Sequence, residues 1–160
     1  MKIIVVSDTH GNNGPFLEKA ITMEKPDMIF HLGDYVKDAK KISEIMEVDF
    51  IAVKGNGDYG MMDVNDDELL EINGKKIFLT HGHRYNVHYD TYELYKKGLE
   101  LAADLILFGH THMAIIEKKK ELIIMNPGSP SSPRSLDRKR TFGLISIGEE
   151  IEVELIHIDK

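Results

Sequence analysis

The chain has 160 residues, a mass of 18.2 kDa, a formal charge of −7 and no cysteine. That length suits one domain burying roughly two-thirds of the surface its unfolded form exposes, and the missing cysteines exclude disulfides and thiolate metal sites, leaving His, Asp, Glu, Asn or backbone oxygen to hold any ion. The negative charge argues against duplex nucleic acid as the main partner, no stretch approaches the ~20 apolar residues of a membrane span, and the opening "MKIIVVSD" reads as a strand rather than a signal peptide, so a cytoplasmic, soluble protein is expected.

"KIIVVS" is a buried-type strand, and a polar loop leads from it into "GPFLEKAITMEK", where Pro15 suits a first helical turn and Phe16, Leu17, Ala20 and Ile21 share a face. "DMIFHLGD" is a second strand. "DAKKISEIME" places Ala39, Ile42, Ile45 and Met46 on one helical face, and "DFIAVKGN" returns to strand. This βαβαβ order implies parallel pairing with right-handed crossovers. "ELLEINGKKIFLT" sets Asn73-Gly74 between two strand patterns and reads as a hairpin. A helix over "TYELYKKGLELAA" follows, its apolar positions open either to packing or to an oligomer contact, dimer or tetramer. Then come a strand "DLILFGH", a pair "MAIIEKK" and "ELIIMN", a loop "PGSPSSPRSLDRKR", and closing strands "TFGLISIG" and "EIEVELIHI". Parallel units first and antiparallel hairpins later predict an α/β fold, a four-layer αββα sandwich of two mixed β-sheets flanked by helices, with residues 1–160 as a single domain.

A second Asn-Gly pair, Asn56-Gly57 in "VKGNGDYG", does not fit a hairpin, because "DYGMMDVNDDE" after it has no alternation to pair back. Its neighbours in the pattern explain it. Five strand ends carry oxygen or imidazole groups beside glycines: Asp8 and His10 in "SDTHG", Asp34 in "LGD", Asn56 in "GNG", His81 and His83 in "THGH", and His110 and His112 in "GHTH". In an open α/β sheet, groups at the carboxyl ends of strands converge. Alternation along an extended strand would put Asp8 and His10 on one face, and likewise His110 and His112; glycines 33, 55, 82 and 109 would let the backbone turn and leave room near an ion. This donor set suits first-row divalent metals, and it exceeds what one ion needs. Two ions sharing a carboxylate form the clamp used for in-line phosphoryl displacement.

In order and spacing these motifs resemble those of the calcineurin-like metallophosphoesterases, particularly the small single-domain phosphodiesterases of bacteria and archaea, and "NPGSPSSPR" is similar to that family's late loop. The resemblance spans almost the whole chain. It implies that Asp8, His10 and His112 hold one ion, that Asn56, His81 and His110 hold the other, and that Asp34 bridges both. The ions would be Mn, Ni, Fe, Co or Zn, with Mn first. A hydroxide held between them would attack the phosphorus of a small phosphodiester, with the Asn56 amide donating to the phosphate. Many members carry histidine after the motif asparagine as the leaving-group acid; here that residue is Gly57. His83 is the nearest replacement, the alternatives being a supporting or phosphate-contacting imidazole or protonation by water, and turnover biased to good leaving groups is expected.

Blander readings cover the rest. His31 in an apolar strand reads as a satisfied core or sheet-surface residue, and His88 and His157 likewise carry no assigned chemistry. Arg134, Arg138, Lys139 and Arg140 read as a solvated run, with phosphate steering by Arg134 as the sharper alternative. Rival functions are a protein-binding scaffold of the retromer-subunit type, a nuclease, and a phosphomonoesterase on the same site.

Overall fold

The computed structural model describes residues 1–159. Its first sheet is centred on β1 (Lys2–Val6), parallel to β2 (Met28–His31) and antiparallel to β9 (Thr141–Ile147), with β3 (Phe50–Ala52) outside β2 and β10 (Ile151–His157) outside β9. In the second sheet β5 (Lys75–Thr80), β6 (Leu105–Leu107) and β8 (Leu122–Asn126) run parallel, edged antiparallel by β4 (Asp67–Ile72) and β7 (Ile115–Lys119). The helices are α1 (Gly14–Ala20), α2 (Lys37–Met46) and α3 (Tyr92–Leu101).

Strand alternation builds the layers. On β1, Ile3 and Val5 join Leu32, Ile77, Leu79, Leu105, Leu107 and Ile145 in a core between the two sheets. Ile4 and Val6 point the other way and pack with Phe16 and Ala20 of α1 and Ile42 and Met46 of α2. Phe78, Ile106 and Ile124, on the outer face of the second sheet, pack with Leu94 of α3. Strands buried on both faces read as continuous apolar runs because each side chain finds a core on its own side. The result is the predicted αββα order.

The two Asn-Gly pairs separate as expected. Asn73 (φ 51°) and Gly74 (φ 75°) both lie in the left-handed region and close the β4–β5 hairpin, as a type I′ turn requires. Neither Asn56 nor Gly57 has a positive φ. Two faces were drawn too wide. Ile21 is 61% exposed and Ile45 58% exposed, and α1 stops at Ala20 rather than running on to Lys25. The Thr22 hydroxyl and amide both donate to the Lys19 carbonyl and Met23 N–H donates to Ala20 O, so a tight turn with a competing hydroxyl replaces the next helical turn. On α3, Leu94 and Gly98 are buried while Tyr92 and Leu99 are exposed.

Candidate metal centre

Five loops converge where the parallel strands end. Those after β1, β2 and β3 bring Asp8, His10, Asp34 and Asn56 from the first sheet, and those after β5 and β6 bring His81, His83, His110 and His112 from the second. The site therefore sits across the seam between the sheets.

Alternation does not place these side chains. Asp8 (φ 55°), His10 (φ 47°), Asp34 (φ 53°), His110 (φ 69°) and His112 (φ 58°) all occupy the left-handed region, which non-glycine residues rarely adopt and which costs about 1–3 kcal/mol each where it is strained. The expectation of extended Asp-x-His and His-x-His segments is thus corrected: left-handed kinks past the strand ends aim the side chains inward. Gly33 (φ 95°) makes one such turn at close quarters, since a Cβ there would stand 2.6 Å from Gly55 N and 2.8 Å from His81 Nδ1.

The ligand atoms of Asp8, His10 and His112 lie within 4.8 Å of one another, and so do those of Asp8, Asp34 and His81. Asp8 is the member common to both groups. His112 Nε2 is 3.2 Å from Asp8 Oδ1 and 3.3 Å from His10 Nε2, and His81 Nε2 is 3.5 Å from Asp34 Oδ1 and 3.1 Å from Asn56 Oδ1. The His110 ring lies 5.1 Å from that of His81, while its backbone N–H donates to Asp8 Oδ2. His83 stands further out, its ring 5.5 Å from His81 and its Nδ1 buried without a partner. Arg134 touches the site through its backbone, whose N–H donates to His112 O, while its side chain is exposed.

Charge is finely balanced here. Burial alone would raise the Asp8 carboxyl, but the His112 and His81 rings and the Ser7 hydroxyl outweigh it and hold the group below the usual carboxylate value. For His112, burial lowers the imidazole and the Asp8 carboxylate with the Ser132 carbonyl more than restores it, for a net rise. Burial and the neighbouring His81 and His88 rings push His110 down to about 4, and burial with His81 and Arg84 lowers His83. Asp8 Oδ1 is buried and accepts no hydrogen bond. A carboxylate oxygen shut away from water and surrounded by imidazole nitrogens is a poor arrangement for an empty protein and a good one for a cation. The donor set, oxygen and nitrogen without thiolate, fits first-row divalent ions.

Supporting residues that sequence reading did not single out fix these loops. Asn126 Nδ2 donates to Gly109 O and Thr111 Oγ1, and Ser129 Oγ donates to Asp8 O. The His112 Nδ1–H donates to Ser132 O at 2.7 Å, which leaves Nε2 free to face an ion. The "NPGSPSSPR" loop thereby braces Asp8 and His112. Asp58 accepts from Val36 N and Gly55 N, tying the Asn56 loop to the Asp34 loop. His31 is fully buried behind the site, accepting from Gly33 N–H at Nδ1 and donating from Nε2 to Thr9 Oγ1, whose hydroxyl donates to Asp38; of its two readings the core one holds. His88, read as an ordinary loop residue, has its ring 4.5 Å from His110. No sequence pattern marks it.

The same fold recurs in known proteins. The model of the calcineurin-like phosphoesterase superfamily domain matches residues 1–150. A probable metallophosphoesterase of Methanocaldococcus jannaschii is 35% identical over 164 residues, covering 100% of this chain and 83% of its own. A phosphodiesterase of the same organism is 32% identical over 146 residues, covering 80% of this chain and 83% of its own. Vps29 of Entamoeba histolytica, solved with zinc, superposes with a TM-score of 0.80 at 22% identity, covering 99% of this chain and all of that one, a likeness of fold. This chain belongs to the calcineurin-like phosphoesterase superfamily.

Proposed function

We propose that the chain is a divalent-metal-dependent phosphodiesterase acting on small phosphodiesters at a dinuclear centre. The observation that carries this reading is the buried, unpartnered Asp8 Oδ1 at the meeting point of two ligand groups drawn from both sheets. Asp8, His10 and His112 would hold one ion, and Asn56, His81 and His110 the other, with Asp34 as the shared carboxylate and Asp8 the side chain whose ligand atoms lie within reach of both groups. Two divalent cations there would lower the pKa of a water nucleophile and neutralise charge on the phosphoryl oxygens. The protein's own share is positioning. Asn56 presents Oδ1 toward His81 and keeps its amide nitrogen for a non-bridging phosphate oxygen. His83, its ring 5.5 Å from that of His81, would serve the leaving group, and the Arg134 charge beside His112 steers the anion. The whole chain acts as one domain, since β9 and β10 from its end complete the sheet that β1 begins. A cysteine-free chain in which no helix of the described residues is long and apolar enough to cross a membrane agrees with a cytoplasmic setting. The phosphodiesterase relative supports the diester.

The test is hydrolysis of bis(p-nitrophenyl) phosphate and p-nitrophenyl phosphate by chelator-stripped protein titrated with Mn, Ni, Zn and Mg. Activity returning with a transition metal, greater on the diester and reduced at least ~10²-fold in Asp34→Asn and His110→Ala, is expected. Full activity in both variants would overturn the assignment. The fold shared with Vps29, together with Gly57, favours one second reading, a catalytically weak protein-binding scaffold; binding of two ions without turnover of any ester would put it first.

A further inference from the structure

A cleft of about 660 Å³ opens beside the centre, within the usual size of a small-molecule pocket. Val87, Phe108, Met113, Ala114, Ile115 and Leu136 form its apolar walls. It adjoins the centre at two residues: His88, which lines it, has its ring 4.5 Å from that of His110, and Thr111, which also lines it, stands between His110 and His112 in the chain. Besides His88 and the Tyr89 phenol, its ionisable lining is the carboxylates Asp90, Glu117 and Asp137, and among the described residues no lysine or arginine lines it. Thr91 and Lys119 already engage Glu117. Met113 is 43% exposed and Leu136 entirely so, two apolar side chains of the cleft lining held open to water beside the centre.

We infer that this cleft receives an uncharged, apolar ester substituent of the phosphodiester, such as an aryl ring, and turns away substituents that carry their own negative charge. This rests on the phosphodiesterase reading above and names the class of its substrate. A planar apolar group there would cover Met113 and Leu136, removing apolar surface from water on both partners. A second phosphate or a carboxylate would instead face the carboxylates of Asp90 and Asp137, with the nearby Lys119 already engaged by Glu117 and Thr91, at a cost in desolvation and repulsion. The cleft thus complements the centre: the metals and Asn56 recognise the anion that every diester has, and the cleft reads what is attached to it.

Three slowly hydrolysed diesters test this as inhibitors of bis(p-nitrophenyl) phosphate hydrolysis by zinc-loaded full-length protein, with dissociation constants from calorimetry alongside. They are dimethyl phosphate, diphenyl phosphate and bis(4-carboxyphenyl) phosphate. Because each is symmetric, the result does not depend on which ester arm enters the cleft. Diphenyl phosphate is expected to bind at least ~10-fold more tightly than dimethyl phosphate, the yield of burying one ring part-way, and the carboxylated ester to lose that gain. The double variant Met113→Glu/Leu136→Glu, at exposed positions that do not support the fold, should remove the preference for phenyl. Asp137→Lys, also exposed, should improve binding of the carboxylated ester alone. Equal binding of the methyl and phenyl esters, or a phenyl preference that survives the double variant, overturns the inference while leaving the enzyme reading intact. If no metal supports hydrolysis of any diester, the reading itself falls and the cleft assignment with it.

Discussion

Gly57 leaves Asp34 open on one side. A Cβ at this position would stand 3.0 Å from Asp34 Oδ1 and 3.2 Å from its Cγ, so any side chain placed there lies against that carboxylate. The backbone at Gly57 has no positive φ, and a shift of a few tenths of an ångström would admit a larger residue. Gly57→His is therefore expected to add a proton donor at this position, raising kcat/KM for a dialkyl diester, whose alkoxide leaves poorly, by ~10²-fold or more and for bis(p-nitrophenyl) phosphate far less. A uniform change across leaving groups would show that protonation does not limit the wild type. His31 gives a residue-scale prediction of another kind. Burial pushes it down to about 4, and its two hydrogen bonds suit the neutral ring. An unfolded histidine titrates near 6.5, so between pH 6.5 and 4 the unfolded chain holds a proton that the folded chain does not, and stability falls as pH drops through that window. The linkage amounts to about 3 kcal/mol, present in full above pH 6.5. His31→Leu should be less stable than wild type at pH 7 in urea unfolding of metal-free protein, and the gap should narrow toward pH 4. A constant gap would mean that His31 does not titrate on unfolding.

Elements were legible in sequence wherever local chemistry decides them. Asn73-Gly74 states its turn through the backbone conformation it needs, and the buried strands state themselves through unbroken apolar runs. The end of α1 was hidden, since the hydroxyl of Thr22 bonding back to Lys19 is a local competition that apolar spacing does not register. The ligand residues were legible as types beside glycines, whereas their left-handed backbones were not, because pairing with neighbouring loops imposes that strain. His88 was invisible for the same reason: its partner His110 lies 22 residues away and meets it only when the second sheet forms. Gly98 on α3 shows the opposite case, a residue whose meaning appears only in packing. A Cβ there would stand 2.6 Å from Leu122 Cδ2 and 2.7 Å from Ile106 Cδ1, so the helix lies directly on the second sheet. Gly98→Val, despite relieving a helix of glycine, should cost about 1–3 kcal/mol by overpacking, read as a lower urea midpoint with an unchanged slope. A stability gain would show that the Leu122 and Ile106 side chains yield freely.

At the scale of the whole molecule, the centre and the core join the same two sheets by different means. The inter-sheet core takes Ile3, Val5, Phe30 and Leu32 from one side and Ile77, Leu79, Leu105 and Leu107 from the other, all fully buried, and it needs no ion. The candidate ligands also come from both sides, but at one end of the seam, where imidazoles and carboxylates crowd together and five left-handed residues store strain. Binding there is linked to folding of the entire seam, not of one loop, because no single sheet holds either of the paired ligand sets once Asp8 with His112 and Asp34 with His81 are counted. Stripping metal should therefore leave a folded protein that melts in one transition at lower temperature. Adding zinc at about 100 times its dissociation constant should restore about 2.7 kcal/mol per site. A variant that removes a ligand from either side, His112→Ala or Asp34→Asn, should lose most of that increment while keeping a cooperative melt. Two separate transitions in the stripped protein, with metal moving only one of them, would instead mean that the sheets unfold independently and that the centre stabilises a local lid on the seam.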